Sequence, residues 1–469
     1  MSSGQYISTR GEAPELGFED VVLAGLARDG GLYVPKQWPT LSPEKIASFA
    51  GKPYHEVAVE VIEPFTDGTI SRAELEKISG EAYATFGHSA VTPLVQLEPN
   101  RFVLELFHGP TLAFKDVAMQ FLSRLMDLIL DKRNQRATIV CATSGDTGGA
   151  AVDAFRGADN VDIVVLFPNG RVSDVQRRMM TTPTDANVHA LAIEGTFDDC
   201  QALVKAMFND HAFRDAVALS GVNSINWARV APQITYYFAA ATALGAPLRP
   251  VSFTVPTGNF GDIFAGYVAK RMGLAIDRLT IASNANDILP RTQATGVYEK
   301  RAVVATSSPS MDIQVSSNFE RYLFEAQGRD AALIRAQMAS LTQSGRFEMR
   351  GGRAMLAKDF AAASASEREV AAAIRDTEAA SGYQLEPHTA CGLVASHKVA
   401  GDQPAIPDVV LATAHPAKFA EAMTEVTGAP APLPARLAHL LAEPERITVL
   451  KNDLSAVQTF IRDTTRAAN

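Results

Sequence analysis

The stretch LFHGPTLAFKDVAMQFL, residues 106–122, sets one lysine among apolar neighbours. Phe107, Leu112 and Phe114 precede Lys115, and Ala118, Phe121, Leu122, Leu125 and Ile129 follow at helical spacing. The lysine is therefore expected just ahead of a helix N-terminus, with Asp116 capping that helix or sitting in its first turn. Both poor solvation and the positive end of the helix dipole disfavour an ammonium there. A free amine is a nucleophile that forms a Schiff base with a carbonyl compound. A lysine laying its stem on apolar surface, with its amine in water, would look the same locally.

Two glycine-rich turns bear on that choice. ATSGDTGGAA (142–151) and VPTGNFGDIF (255–264) each join an expected strand to an expected helix. That arrangement aims backbone N–H groups at an anion. Neither turn has the spacing of a dinucleotide fingerprint or a P-loop. A glycine turn can also be only a tight connection. Two such turns beside an amine suggest one site for a cofactor phosphate and one for a substrate carboxylate. Pyridoxal phosphate needs this inventory: a lysine, a phosphate cradle and a partner for its ring nitrogen.

Other chemistry-bearing residues have plainer readings. His108 is either a second acid/base group or a hydrogen-bonded structural histidine. His388 and His415 lack metal-ligand spacing, so no metal is expected. The carboxylates of FDDC (197–200) suit the start of a helix, and RRMM (177–180) reads as a solvated face plus core methionines.

The elements that must position these residues are legible from about residue 95 onward. ATIVCA (137–142), VDIVVLF (161–167), VHALAI (188–193), VSFTV (251–255), LTIA (279–282) and DVVLATA (408–414) read as buried strands separated by helical patterns. Ser173 and Gln176 have capping-box spacing, and Thr196 is a candidate N-cap. Continuous apolar strands alternating with helices imply an α/β fold with parallel sheets covered on both faces. The division expected is 1–94 as an N-terminal domain, 95–245 as an α/β domain carrying the lysine and SGDTG, and 246–469 as a second α/β domain carrying GNFGD and PHTACG. The Ala-rich charged stretch 354–381 is expected as exposed helix, and APAPLPA (429–435) as a connector.

The chain has 469 residues and a formal net charge of −9, which argues against nucleic acid or an anionic membrane as a partner. Three separated cysteines, no apolar run of membrane-spanning length and no apolar signal core lead to the expectation of a cytoplasmic protein.

ISTRG, DGGLYVP, FHGPTLAFKD, SGDTGG, FPNGRVSDVQRRMM, EGTFDDCQ, NSINWAR, PTGNFGD, SPSMDIQVSSNFER, EPHTACG and LATAHPAKF run collinearly from residue 7 to about 420. In these motifs the chain closely resembles the threonine synthases of the bacterial and fungal type with an N-terminal extension. The resemblance implies a tryptophan-synthase-β-like fold, with pyridoxal 5'-phosphate between two α/β domains. It implies that Lys115 carries the cofactor. Gly258, Asn259, Phe260, Gly261 and Asp262 would hold its phosphate, and Thr389 would face the ring nitrogen. Ser144, Gly145, Asp146 and Thr147 would grip the substrate carboxylate, and Asn223, Ser224 and Arg229 the substrate phosphate. The reaction implied is O-phospho-L-homoserine plus water to L-threonine plus phosphate, by a monomer or homodimer. The rivals are another type-II pyridoxal enzyme, such as a threonine or serine dehydratase or a related phospho-lyase, and a non-catalytic binding protein using the same cradles.

Overall fold

The apolar runs become two parallel sheets, because strands joined by crossover helices are covered on both faces. The computed structural model describes residues 5–467. One sheet consists of Ala137–Ala142 (β6), Val161–Pro168 (β7), Val188–Glu194 (β8), Leu219–Ser220 (β9) and Thr448–Lys451 (β16). Its order is β16-β8-β7-β6-β9, with all neighbours parallel. Every residue of β7 is buried, and its one carboxylate, Asp162, is held by Arg466 at 3.1 Å.

The other sheet comprises Leu94–Glu98 (β4), Arg101–Glu105 (β5), Val251–Pro256 (β10), Ile276–Ser283 (β11), Phe360–Ser364 (β14) and Asp408–Ala412 (β15). Its order is β14-β11-β10-β15-β5-β4. β4 runs antiparallel to β5, and the remaining pairs are parallel. Neither sheet is drawn from one side of residue 245. β4 and β5 precede the five-stranded sheet in sequence yet belong to the six-stranded one, and β16 returns late to pair with β8.

The N-terminal segment forms a small antiparallel sheet from Gln5–Ser8 (β1), Leu16–Gly17 (β2) and Tyr33–Pro35 (β3), in the order β2-β1-β3. It packs on the Trp227–Ala243 helix, whose fully buried Trp227 ring lies against Tyr6, Trp38 and Phe65. An antiparallel pair of Val297–Glu299 (β12) and Arg346–Glu348 (β13) completes the strands described.

The expectation of continuous exposed helix over 354–381 is corrected. Helices Arg353–Asp359 and Glu367–Ser381 flank β14, which lies parallel to β11 at the sheet edge. The strand's sequence is FAAAS, and its alanines have no β-branched signal. The APAPLPA stretch holds no strand or helix until Ala435. Among the described residues no helix is long and apolar enough to cross a membrane.

In a parallel sheet the carboxyl ends of the strands share one rim, and ligands collect there. β5, β10 and β15 of the six-stranded sheet and β6 of the five-stranded sheet deliver from their carboxyl ends the four segments that matter next.

Candidate active site

Past the end of β5 the chain runs beside the end of β15. Leu106 N donates to Ala412 O (3.0 Å), Phe114 N to Thr413 O (2.8 Å) and His415 N to Leu112 O (3.0 Å). Leu112 is held at φ 60°, a left-handed conformation uncommon for a branched residue. Lys115 is the first residue of the Lys115–Arg133 helix rather than lying ahead of it. Asp116, in the first turn, is turned back onto the loop, where its carboxyl accepts from Thr111 N (2.8 Å) and Thr111 Oγ1 (2.5 Å). Burial pushes that carboxyl up to about 6.

The Lys115 amine donates to Asp146 Oδ2 at 3.1 Å and lies 5.2 Å from the Phe114 ring centre. Burial is the strongest influence on it and drives its pKa down; Asp146 opposes that, and Lys418 and Arg229 reinforce it. The direction is the one the apolar sequence context predicts.

Asp146 begins the helix that follows β6. Thr143 Oγ1 fixes the turn by accepting from Gly145 N and Gly148 N, both at 2.9 Å. Gly145 stands at φ 143°, which only glycine adopts readily, and a Cβ there would meet Gln176 Cδ at 2.6 Å. The Asp146 carboxylate is surrounded: Lys115 and Ser310 Oγ (3.3 Å) reach Oδ2, and Lys418 (2.7 Å) and Gln176 Nε2 (2.8 Å) reach Oδ1. Burial alone would raise its pKa, but the two lysines outweigh that and hold it well below the usual carboxylate range.

The capping box expected from Ser173 and Gln176 is not formed. Ser173 precedes the Asp174–Thr181 helix without a side-chain cap bond and donates to Gln176 Oε1 (2.9 Å). Gln176 Nε2 donates to the buried Asp146 carboxylate, a charge-assisted bond, and the Ser173 hydroxyl takes the Oε1 that a capping box would offer to the backbone. The neighbouring arginines are also less free than the sequence suggests, since Arg177 pairs with Glu445 (2.8 Å) and Asp174 (2.7 Å). Met179 and Met180 are core, as expected. Thr196 is the N-cap of the Phe197–Asn209 helix, in a capping box with Asp199.

A cavity of about 430 Å³ opens between the two sheets, and Lys115 forms part of its wall. Gly258, Asn259, Phe260, Gly261 and Asp262 line it, ahead of and at the start of the Gly261–Arg271 helix. Phe260 is left-handed, at φ 64° and ψ 4°. That reversal followed by a helix start presents successive N–H groups to an anion. Asn318 Nδ2 ties the turn down, donating to Asn259 O and Ser224 O, both at 3.1 Å. The Asp262 side chain turns to Tyr236 and Tyr237, whose hydroxyls donate to Oδ1. Burial pushes Asp262 up to about 7, and its Oδ2 has no hydrogen-bond partner among the described residues.

Asn223, Ser224 and Arg229 line the same cavity, as does Thr147. Arg229 is buried, and burial lowers its pKa to about 10. Its Nη1 donates to Val222 O (2.9 Å), while its Nε has no partner among the described residues. Ser144 is exposed and Gly145 is buried behind Gln176. Thr389 is buried, with its hydroxyl donating to Glu386 Oε1 at 2.6 Å; its neighbour His388 is the residue that lines the cavity. His388 Nε2 accepts from Ser310 N (3.2 Å), so Nδ1 carries the proton shared with Glu386 at 2.7 Å.

Sequence reasoning missed Lys418, Gln176, Ser310 and His388. All four lie within the matched stretches, but only Lys115 has the apolar run before it that made a lysine conspicuous. His108 takes its structural reading: it pairs with Glu105 (2.7 Å), which also accepts from Tyr383 (2.8 Å), and it lines a different cavity. A largely buried amine, a helix N-terminus and a partly unpaired Arg229 lining one cavity suit a phosphorylated aldehyde, so these residues fit pyridoxal phosphate.

Comparison with known proteins agrees with that chemistry. Residues 5–83 match the family model for the threonine synthase N terminus, 86–413 that for pyridoxal-phosphate-dependent enzymes, and 389–461 that for the threonine synthase C-terminal region. The threonine synthase of Pseudomonas aeruginosa is 51% identical, over 97% of this chain and 98% of that protein. A crystal structure of pyridoxal-phosphate-bound threonine synthase from Brucella melitensis superposes with a TM-score of 0.96 at 59% identity, covering 99% of this chain and all of that one. Threonine synthase from Escherichia coli superposes at 0.82 with 31% identity, covering 98% of this chain and 100% of that one.

Proposed function

The chain belongs to the threonine synthase family, and we infer that it converts O-phospho-L-homoserine and water to L-threonine and phosphate with Lys115 as its catalytic amine. The observation that carries the assignment is the Lys115 Nζ, on a side chain only 13% exposed and 3.1 Å from Asp146, in the wall of the cavity that the 258–262 turn also lines. Pyridoxal phosphate, when bound, supplies an electron sink for negative charge generated on the substrate carbons.

The protein's own groups do the rest. The N–H groups of residues 258–262 take the cofactor phosphate, and Thr389 stands toward the ring nitrogen. Lys115, with its pKa lowered by burial, gives up a proton more readily than an ordinary lysine, which suits transfers at Cα and then at Cβ. Asp146 orients that amine. Because its carboxylate is committed to two lysines, the SGDTG turn grips a substrate carboxylate through Thr147 and the helix N-terminus rather than through the Asp146 side chain. Asn223, Ser224 and Arg229 take the substrate phosphate, and departing phosphate requires such cationic help because charge builds on it as its bond breaks.

The test is to supply pyridoxal phosphate and O-phosphohomoserine to the purified protein, then measure phosphate, threonine and keto acid. Borohydride reduction and peptide mapping follow on the same sample. Equal phosphate and threonine, with the reduced label on Lys115, is the expected result. Keto acid in place of threonine would make the protein a dehydratase-like enzyme, and a label on another lysine would remove Lys115 from its role.

A further inference from the structure

Lys418, in the Pro416–Phe419 turn of helix after β15, is a second lysine buried at this centre. Its side chain is 1% exposed, and its Nζ contacts Asp146 Oδ1 at 2.7 Å and the Thr111 carbonyl at 2.8 Å. Burying an ammonium is unfavourable unless it is paired and hydrogen-bonded, and a neighbouring lysine makes it more so. The simplest explanation is that Lys418 fastens residues 413–418 to the loop before Lys115. Backbone contacts already do that: Phe114 N to Thr413 O, His415 N to Leu112 O, and the bridge between Ala113 and Ala414. What Lys418 adds is a charge placed on Asp146.

We propose that Lys418 is a positioning residue: its ammonium anchors one oxygen of Asp146 and offsets part of that carboxylate's charge, so the other oxygen orients Lys115 without fixing a proton on it. The proposal rests on Lys115 being the catalytic amine.

Charge counting shows why this matters. Lys115, Asp146 and Lys418 together carry one net positive charge. When Lys115 gives up its proton, a neutral Lys418–Asp146 pair is left behind. With Lys418 absent, the same step would leave an uncompensated buried carboxylate, which is strongly disfavoured. The other charged groups facing the centre do not replace it. Arg229 acts in the same sense from the opposite wall, but it bonds Val222 O rather than Asp146. Asp116 faces Thr111, and His415 is pushed down to about 4 by burial, so it is neutral at physiological pH.

The experiment follows reconstitution of the cofactor-free full chain at saturating pyridoxal phosphate, where the first-order growth of the visible band tracks the deprotonated fraction of Lys115. Lys418→Gln should slow this step about tenfold at neutral pH, one pKa unit being a factor of ten. The deficit should shrink toward none as the pH is raised past the amine's pKa. Lys418→Arg, which keeps the charge, should stay within a few-fold of the parent. Asp146→Asn should shift the pH profile in the opposite direction, and it supplies the test if Lys418→Gln fails to fold. A deficit in Lys418→Gln that is the same at every pH would show a purely structural lysine and overturn the proposal. So would an Asp146→Asn profile moved to higher pH. Failure of the underlying assignment would show separately, as a reduced label on a lysine other than Lys115 in the parent.

Discussion

Gln176 donates from Nε2 to Asp146 Oδ1 at 2.8 Å, while its Oε1 accepts from the Ser173 hydroxyl rather than from a backbone N–H at the start of its own helix. The residue therefore links the start of its helix to the candidate active site, and Ser173 shares that link without capping the helix. Replacing it separates that link from capping. A lost N-cap costs about 1 kcal/mol of stability. Gln176→Ala is expected to lose about 1.5–3 kcal/mol by urea unfolding, because it removes a hydrogen bond to a buried carboxylate, while turnover falls several-fold because Asp146 has one donor fewer to hold its orientation. A full capping loss with unchanged turnover would return Gln176 to its helix.

The phosphate turn gives a contrast between two glycines. A Cβ on Gly258 would stand 2.6 Å from the Ser310 carbonyl, a backbone atom in the wall of the cavity. On Gly261 the nearest atom is Asn318 Nδ2 at 3.3 Å, a looser approach than that at Gly258 and to a side chain rather than to backbone. Gly258→Ala should weaken cofactor retention on the order of tenfold, about 1.4 kcal/mol. Gly261→Ala should be milder. Equilibrium titration of each variant with pyridoxal phosphate reads the order directly, and the reverse order would mean the 309–311 turn does not press on the cradle.

How much of this was legible in the sequence depends on the range of the interaction. The strands read correctly because burial on both faces writes a continuous apolar run, as in VDIVVLFP. Lys115 was legible because its own neighbours desolvate it. β14 was not, since alanine favours helix and only pairing with β11 makes that stretch a strand. Lys418 lies 303 residues from Lys115, and the carboxylate they share lies on a third segment. No local pattern encodes that meeting. It arises where the carboxyl ends of β5 and β15 in one sheet meet that of β6 in the other.

Asp262 makes a pH prediction with a definite sign. Its folded-state value of about 7 lies above the ordinary 3.8, so between those limits the folded protein holds a proton that the unfolded chain has released. Stability must then fall as pH rises from about 4 to about 7. Asp262→Asn keeps an acceptor for Tyr236 and Tyr237 and removes the titration. In urea unfolding of cofactor-free protein, the variant should gain on the parent as the pH is raised from about 5 to about 7. The gain should be about 1.4 kcal/mol for each pH unit over which the folded carboxyl stays protonated and the unfolded one does not. Parallel pH profiles for the two proteins would mean that Asp262 is ionised throughout.

Thr389 offers the last prediction, because its hydroxyl proton is already committed. Oγ1 donates to Glu386 Oε1 at 2.6 Å, and the same carboxylate caps the Pro387–Ala400 helix by accepting from His388 N (2.9 Å) and Thr389 N (2.7 Å). Oγ1 is left with lone pairs only, so any further hydrogen-bond partner of Thr389 must be a donor. Thr389→Asp is a poor probe of that relation, since it would set a second carboxylate against the buried Glu386 and unfold the helix start or force one acid to stay protonated. Thr389→Val and Thr389→Ser form the better pair. Valine keeps the shape and removes a hydrogen bond to a carboxylate, which costs about 1.5–3 kcal/mol. Serine keeps the bond. In urea unfolding of cofactor-loaded protein, Thr389→Ser should therefore stay near the parent and Thr389→Val should fall by that amount. If Thr389 also stands toward the ring nitrogen, the visible band of the valine variant should move while that of the serine variant does not. A valine variant that loses stability but keeps the parent band would leave Thr389 as a support for Glu386 alone, with the ring nitrogen served by another group.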